Sequence, residues 1–259
     1  MVNIDGAQLA AWVAGLLLPM VRILGLMAIA PVFAHTVTPT RVKIGLGVLL
    51  AVIVAPTLPS ITGFDPLSLG GLMLIGQQLV IGLAMGFAMR IVFAAVEFAG
   101  EVAGMTMGLG FAAFFDPTTQ GQSIPLNTFL TLLMALVFLA INGHLLLLAT
   151  LVRSFHDLPI GGAAPAPEAF WRIAQWGGYV FSAGVQLSLP IVAALLITNI
   201  ALGILTRAAP QLNLFGIGFP LTLTVGIVMV ALVLPTMATP MVRLLEQGLG
   251  LAGQAMSGR

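Results

Sequence analysis

The chain has 259 residues, of which 59% are hydrophobic and 7% are charged, and its formal net charge is +1. A soluble domain carries about 25% charged residues, so this composition excludes a water-soluble globular protein and indicates a membrane protein. The nine basic residues are spread thinly, which argues against nucleic acid as a partner because binding it requires a basic stripe. The absence of cysteine excludes disulfides, thiolate metal sites and cysteine nucleophiles.

Apolar runs of membrane length dominate the sequence. A helix needs about 20 apolar residues to cross the hydrocarbon layer. By that measure six helices are predicted, at residues 9–30, 44–58, 69–98, 126–151, 180–205 and 214–234. The second run is short for a full span, and the third is long enough to project beyond the bilayer. We therefore predict an all-α protein built from membrane-associated helical hairpins.

Proline-rich and glycine-rich segments separate these runs. Residues 159–170 contain three prolines and two glycines, which cannot continue a helix, so the main internal boundary is predicted there. Four apolar runs precede this boundary and one hairpin follows it. Basic residues are nearly balanced between the two sides of the membrane, and the positive-inside rule assigns no orientation. This balance suggests that the runs are not all independent, lipid-facing spans.

Four charged residues interrupt the apolar runs: Arg22, Arg90, Glu97 and Glu101. Positions 90, 97 and 101 share one helical face because they are separated by two turns and by one turn. A charge near the bilayer centre costs at least about 2.5–3.5 kcal/mol, so these groups are expected to face protein or water and to find partners of opposite sign. They could form a proton relay or stabilise packing within an assembly. We predict the packing role, because a relay normally recruits acids from several segments and the other runs contain none.

Glycines recur every four residues at Gly82 and Gly86, and again at Gly100, Gly104 and Gly108. Small residues at this spacing let helix backbones approach closely. Gly100 and Gly104 are therefore predicted to be helix-packing positions, although glycine is also common in membrane helices in general. Residues 108–113 match the loose dinucleotide pattern G-x-G-x-x-A, but they follow a predicted helix rather than a strand. No catalytic, cofactor or metal motif is recognised, and a non-enzymatic protein is predicted.

The stretch GLGFAAFFDPTTQGQ, residues 108–122, separates two of the longest apolar runs. Its glycines destabilise helix, and its Asp-Pro pair together with Pro125 is predicted to stop any return to helix before Asn127. Non-helical backbone at membrane depth is tolerated only where it is buried in protein or lines a cavity. The phenylalanines could form a hydrophobic constriction in a pore or an anchor at the lipid headgroups. The residues by themselves favour neither.

Three stretches together resemble the FliR family of the flagellar type III export gate. They lie at residues 17–56, 87–117 and 126–161 and include LLPMVRILGLMAIAPVF, FAMRIVFAAVEFAGEVAGMTMGLGFAAFFDP and LNTFLTLLMALVFLAINGHLLLLATLVRSFHDLPIG. The resemblance runs over nearly the whole chain. It implies a multi-pass subunit of a closed helical ring in the inner membrane of the flagellar basal body, raised toward the periplasm. The implied partners are FliP and FliQ in one complex, FlhB and FlhA, membrane lipid and unfolded export substrates.

The resemblance also implies a division of the chain. Residues 1–160 would form helical hairpins similar to a P subunit, residues 161–175 a linker, and residues 176–259 a hairpin similar to a Q subunit. The first part would include a plug loop at residues 104–122 that seals the secretion channel. The plug residues implied are Met105, Met107, Gly108, Gly110, Phe111, Phe114, Phe115 and Asp116.

Other functions are compatible with the composition. An injectisome export-gate homologue would share the fold, but the phrase AINGHLLLL looks more flagellar. A secondary transporter using the intrahelical charges would be expected to show inverted repeats, and none is visible in the sequence. A structural membrane scaffold without a pore is the third alternative.

Overall fold

A computed structural model describes residues 6–59, 64–66, 68–111, 124–209 and 214–254, with the backbone alone described for residues 6–10, 111, 214 and 215. All regular secondary structure in these residues is helical, which confirms the predicted all-α class. The helices are α1 (Gly6–Ile29), α2 (Thr40–Val54), α3 (Leu69–Thr106), α4 (Pro125–Ala140), α5 (Gly143–Asp157), α6 (Pro167–Ala208) and α7 (Phe219–Gln254). Within the described residues, five helices are long and apolar enough to cross a membrane, and α4 with α5 could form a sixth, broken span.

Several helices extend beyond the apolar runs that predicted them. Helix α3 continues to Thr106, α6 begins at Pro167, and α7 continues to Gln254. The expectation that helix would not resume before Asn127 is wrong, because α4 begins at Pro125. Proline fits the first turn of a helix, where its missing N–H would have had no intrahelical acceptor. The prolines at residues 125 and 167 therefore start helices instead of delaying them.

The fourth apolar run is two helices rather than one continuous span. Helix α4 ends at Ala140 and α5 begins at Gly143. Between them, Asn142 adopts the left-handed conformation, with φ 54° and ψ 28°. Asparagine tolerates this conformation better than most residues do, so the phrase Asn-Gly ends one helix and starts the next within an otherwise apolar run.

The chain forms two compact units, each assembled from separate stretches. The first unit comprises Met1–Ile91, Asn142–Gly177 and Leu245–Arg259, and the second comprises Val92–Ile141 and Gly178–Leu244. In the first unit, the backbones of α1 and α3 approach each other closely. A Cβ added to Gly25 would lie 3.0 Å from the Leu79 carbonyl oxygen, and a Cβ added to Gly86 would lie 2.7 Å from the Leu26 carbonyl oxygen. The predicted division into parts similar to P and Q subunits stays a prediction.

Burial differs strongly among the apolar helices. In α3, 61% of the most apolar window is buried within the chain, whereas in α2, α6 and α7 the share is 17%. Helix α3 is therefore the most buried helix. The apolar side chains of the other three largely face outward, toward lipid or other proteins.

Candidate functional site

The candidate site is the C-terminal end of α3 with the parts of α4 and α7 that pack against it in the second unit. The helix ends where Gly108 adopts the left-handed conformation, with φ 88°. There the N–H of Gly108 donates to the carbonyl oxygen of Met105 at 3.0 Å, and the N–H of Met107 donates to that of Ala103 at 3.0 Å. Glycine is favoured at this position because a Cβ makes the left-handed conformation costly. A 3₁₀ turn, Leu109–Phe111, follows.

Two glycines of α3 receive the beginning of α4. A Cβ added to Gly100 would lie 2.5 Å from the Cα of Asn127, and one added to Gly104 would collide with Cγ2 of Ile124. The side-chain Nδ2 of Asn127 also donates a hydrogen bond to Oε2 of Glu101 at 3.4 Å. The start of α4 is thus packed directly against the last turns of α3, at backbone contact distance.

The two methionines predicted for the plug have opposite environments. Met105 is 54% exposed, whereas Met107 is 2% exposed. The Thr222 hydroxyl at the start of α7 donates to the carbonyl oxygen of Met107 at 3.3 Å. A Cβ added to Gly226 would lie 2.5 Å from Cγ, 2.6 Å from Cε and 2.9 Å from Sδ of Met107. Met107 is therefore held by α7, and Met105 is available to a neighbouring molecule.

The remaining predicted plug residues are only partly described. A Cβ added to Gly110 would lie 3.9 Å from Cγ of Met105. The backbone of Phe111 belongs to the 3₁₀ turn, while its side chain lies outside the description. Phe114, Phe115 and Asp116 lie outside the described residues.

The predicted intrahelical charges occupy two settings. Arg90, Glu97 and Glu101 are partly buried and lie on one face of α3. Two large apolar side chains of the same face are exposed, with Phe87 at 45% and Met105 at 54%. This face is the least buried one over the second half of α3.

Arg22 lies in the first unit and is fully buried. Its Nε and Nη2 donate to Oε1 of Gln78 at 2.8 and 2.5 Å. Its Nη1 donates to the carbonyl and hydroxyl oxygens of Ser154 at 2.9 and 3.1 Å, and Nη2 donates to the Leu158 carbonyl oxygen at 3.0 Å. The guanidinium also lies 4.3 Å from the centre of the Phe155 ring, a cation–π contact.

No acidic group takes part in these Arg22 hydrogen bonds, although an oppositely charged partner was expected from the sequence. The carbonyls of Ser154 and Leu158 lie at the C-terminal end of α5, where unsatisfied carbonyls carry partial negative charge. The positive charge of Arg22 is thus stabilised by the end of a helix and a neutral amide. Arg22 thereby ties α1 to α3 and α5.

Sequence reasoning missed the residues that contact Arg22 and Met107. These are Gln78 and Ser154 for Arg22, and Thr222 and Gly226 for Met107. Gln78 carried a usable signal, because it is a polar residue in the middle of the third apolar run. Thr222 and Gly226 carried none, since threonine and glycine are ordinary in membrane helices. Their shared partner, Met107, is 115 residues from Thr222 along the chain, and only the folded packing brings them together.

Among the described residues, five apolar helices are long enough to span a membrane and three of them are mostly unburied within the chain, which defines a helical membrane protein with surface left for lipid or partner subunits. The family described as "Bacterial export proteins, family 1" matches residues 13–248. The chain belongs to this family.

Individual relatives agree with this assignment. The chain is 45% identical over 236 residues to the flagellar biosynthetic protein FliR of Pectobacterium carotovorum, covering 91% of this chain and 90% of the relative. It is 42% identical over 238 residues to the protein of the same name from Escherichia coli K12, covering 92% and 91%. With the Bacillus subtilis protein of that name it is 32% identical over 216 residues, covering 82% and 83%. The predicted family is confirmed.

Proposed function

We propose that this chain is a non-enzymatic subunit of the flagellar type III export gate, through which unfolded flagellar proteins cross the bacterial inner membrane. Family membership supports a role in export. The three relatives cited above are named flagellar biosynthetic proteins, which favours the flagellar apparatus over an injectisome.

The outward apolar face of α6 is the observation that supports partner subunits. Large apolar side chains are exposed on this helix from Phe170 to Leu205, which at 1.5 Å per residue are roughly 52 Å apart along the helix. The hydrocarbon core is about 30 Å thick, and even a tilt of about 40°, the upper end of the usual range, places only about 39 Å of helix in lipid. This face therefore extends past the hydrocarbon core, where the headgroup region or a partner subunit can cover it.

We assign that cover to FliP and FliQ subunits in one helical ring, placed in the basal body and raised toward the periplasm. A raised ring also accounts for the balanced basic residues, because the helices would not all be independent lipid-facing spans. FlhB and FlhA would contact this ring from its cytoplasmic side.

The gate itself is assigned to the end of α3 and the segment that follows it. The left-handed Gly108 ends the helix, and Met105 next to it is exposed. Together with Met107, Gly110, Phe111, Phe114, Phe115 and Asp116, these residues would form a hydrophobic plug. Dispersion contacts contribute only about 0.1–0.2 kcal/mol per atom pair. Many such contacts can hold back water and ions and still yield to a passing polypeptide.

Co-expression tests the assembly part of the proposal. The chain should be recovered in low yield alone and in a stable complex when it is expressed with its P and Q homologues. A chain that is stable and monodisperse alone, and that does not bind those homologues, would contradict a ring subunit and favour a transporter or a scaffold.

Conductance of the reconstituted complex tests the plug. Deleting residues 110–115 should leave assembly largely intact and increase ion leakage. As a matched control, leucine at Phe111, Phe114 and Phe115 together should keep the gate tight, because it preserves apolar bulk, whereas serine at the same three positions should leak. A deletion variant that assembles fully and stays as tight as the parent would refute the plug and favour a headgroup anchor.

A further inference from the structure

The buried residue Met107 is held by two residues of α7 that no sequence motif marks. Thr222 and Gly226 are four residues apart and therefore lie on the same face of the helix. Thr222 approaches the backbone of Met107 and Gly226 approaches its side chain. We call Thr222 and Gly226 the Met107 seat.

The side-chain part of the seat depends on the absence of a Cβ. Cγ, Sδ and Cε of Met107 all lie within 2.9 Å of the position that a Cβ on Gly226 would occupy. Contacts under 3.0 Å are closer than carbon and sulfur atoms tolerate, so even alanine at this position would require Met107 to move. Methionine is flexible enough to leave the seat by changing its side-chain rotamer.

The backbone part of the seat is a shared hydrogen bond. The Thr222 hydroxyl lies 3.3 Å from the Met107 carbonyl oxygen and 3.0 Å from the carbonyl oxygen of Phe219 in its own helix. A hydroxyl has one proton to donate, so it divides between these two acceptors. When it turns to Phe219, Thr222 stays satisfied and the Met107 carbonyl oxygen loses this donor. The contact can therefore be made and broken without leaving a buried hydroxyl unpaired.

The position of the seat gives it a functional meaning. Met107 is the last residue before Gly108, at which the backbone turns out of α3. About one and two turns earlier in α3, Gly104 and Gly100 pack against the start of α4. We propose that Thr222 and Gly226 are positioning residues that hold the end of α3 in the closed arrangement, an assignment that rests on the gate function proposed above. Movement of α7 would then release Met107 and weaken the barrier that the proposed plug presents to water and ions.

The contact itself can be tested without any gate assay. Because the chain contains no cysteine, a Met107→Cys/Gly226→Cys variant in the co-expressed complex should form a single internal disulfide on mild oxidation. Gly250 lies on the same helix with no atom near its missing Cβ, so Met107→Cys/Gly250→Cys is the matched negative control. Failure of the 107–226 pair to cross-link would overturn the proposal.

The positioning role is tested by leakage of the reconstituted complex, measured alongside assembly yield. Gly226→Ala should shift the balance from seated to released Met107 by roughly five- to a hundredfold, as overpacking does, and raise leakage. Gly250→Ala should leave leakage unchanged. Thr222→Val should produce a smaller shift of about two- to tenfold, the usual effect of one lost hydrogen bond, and Thr222→Ser should restore the parent value.

Leakage separates this role from general stability, because a purely structural defect would lower assembly yield and leave the assembled complexes tight. If Gly226→Ala and Thr222→Val complexes assemble and stay tight while deletion of residues 110–115 leaks, the positioning role is refuted and the gate function stands. If that deletion also stays tight, the proposed gate function fails, and this inference fails with it.

Discussion

Replacing Arg22 with methionine is the substitution whose consequence the structure defines most closely. Methionine matches much of the apolar stem of arginine but removes the guanidinium. Arg22 is fully buried and donates five hydrogen bonds to oxygens of Gln78, Ser154 and Leu158. The expected result is a large loss of stability, because these acceptors lie in the interior of the first unit.

The size of the loss follows from which acceptors keep another donor. The Ser154 carbonyl oxygen still accepts from the Leu158 N–H at 2.9 Å. Gln78 Oε1 and the Leu158 carbonyl oxygen lose the donor that the structure gives them. A buried acceptor left unsatisfied costs about 1–3 kcal/mol, so the two together cost about 2–6 kcal/mol. Loss of the Phe155 contact adds about 0.5–2 kcal/mol, and removal of a buried charge offsets part of this total. A net loss of about 3–5 kcal/mol in the free energy of unfolding is expected, similar to the breaking of a buried charged pair.

Chemical unfolding of the purified complex in detergent, followed together with recovered yield, measures this loss. Arg22→Lys should be intermediate, because an ammonium cannot reproduce the planar fork of a guanidinium. Gln78→Leu added to Arg22→Met should recover about 1–3 kcal/mol, since it removes one orphaned acceptor. The exposed Arg41 supplies the control, and Arg41→Met should change stability by less than about 0.5 kcal/mol. An Arg22→Met complex as stable as the parent would refute the reasoning.

Other substitutions test the packing of α3. Gly100→Leu should reduce the yield of the complex more than Gly104→Leu, because a Cβ at Gly100 meets backbone and one at Gly104 meets a side chain; equal yields would argue against this. Gly82→Ala should lower the free energy of unfolding by about 1–3 kcal/mol, because the added Cβ would collide with the backbone of Arg22. Gly76→Ala faces open space and should leave stability unchanged or slightly higher. The denaturant midpoints of the two variants test this difference. Arg90→Leu should lower complex recovery by removing a partly buried charge, and normal assembly with altered pH dependence of secretion would instead favour a proton relay.

Apolar run lengths predicted the helical class and most of the helices, because a membrane helix must satisfy its own backbone and needs about 20 apolar residues. The glycines and the following Asp-Pro pair predicted that the third helix would be destabilised near residue 108, and α3 does end at Thr106, before the left-handed Gly108. The same local reasoning misplaced helix boundaries at the prolines of residues 125 and 167, where proline starts a helix. It also missed the break at Asn142, because a single residue in the left-handed conformation leaves the apolar pattern unchanged.

The partners of each buried group were decided by tertiary structure alone. The sequence shows a charge at Arg22 and a methionine at residue 107, and it predicts that the charge needs a partner. Its partners turned out to be a neutral glutamine and the carbonyls at the end of α5, which are 132 and 136 residues away. Likewise, the sequence gives no sign that Gly226 matters, whereas the structure shows that Met107 occupies the space where a Cβ on Gly226 would lie. Hydrophobic periodicity reports which residues avoid water, but it contains no information on which distant backbone will lie beside them, because that depends on how several helices pack at once.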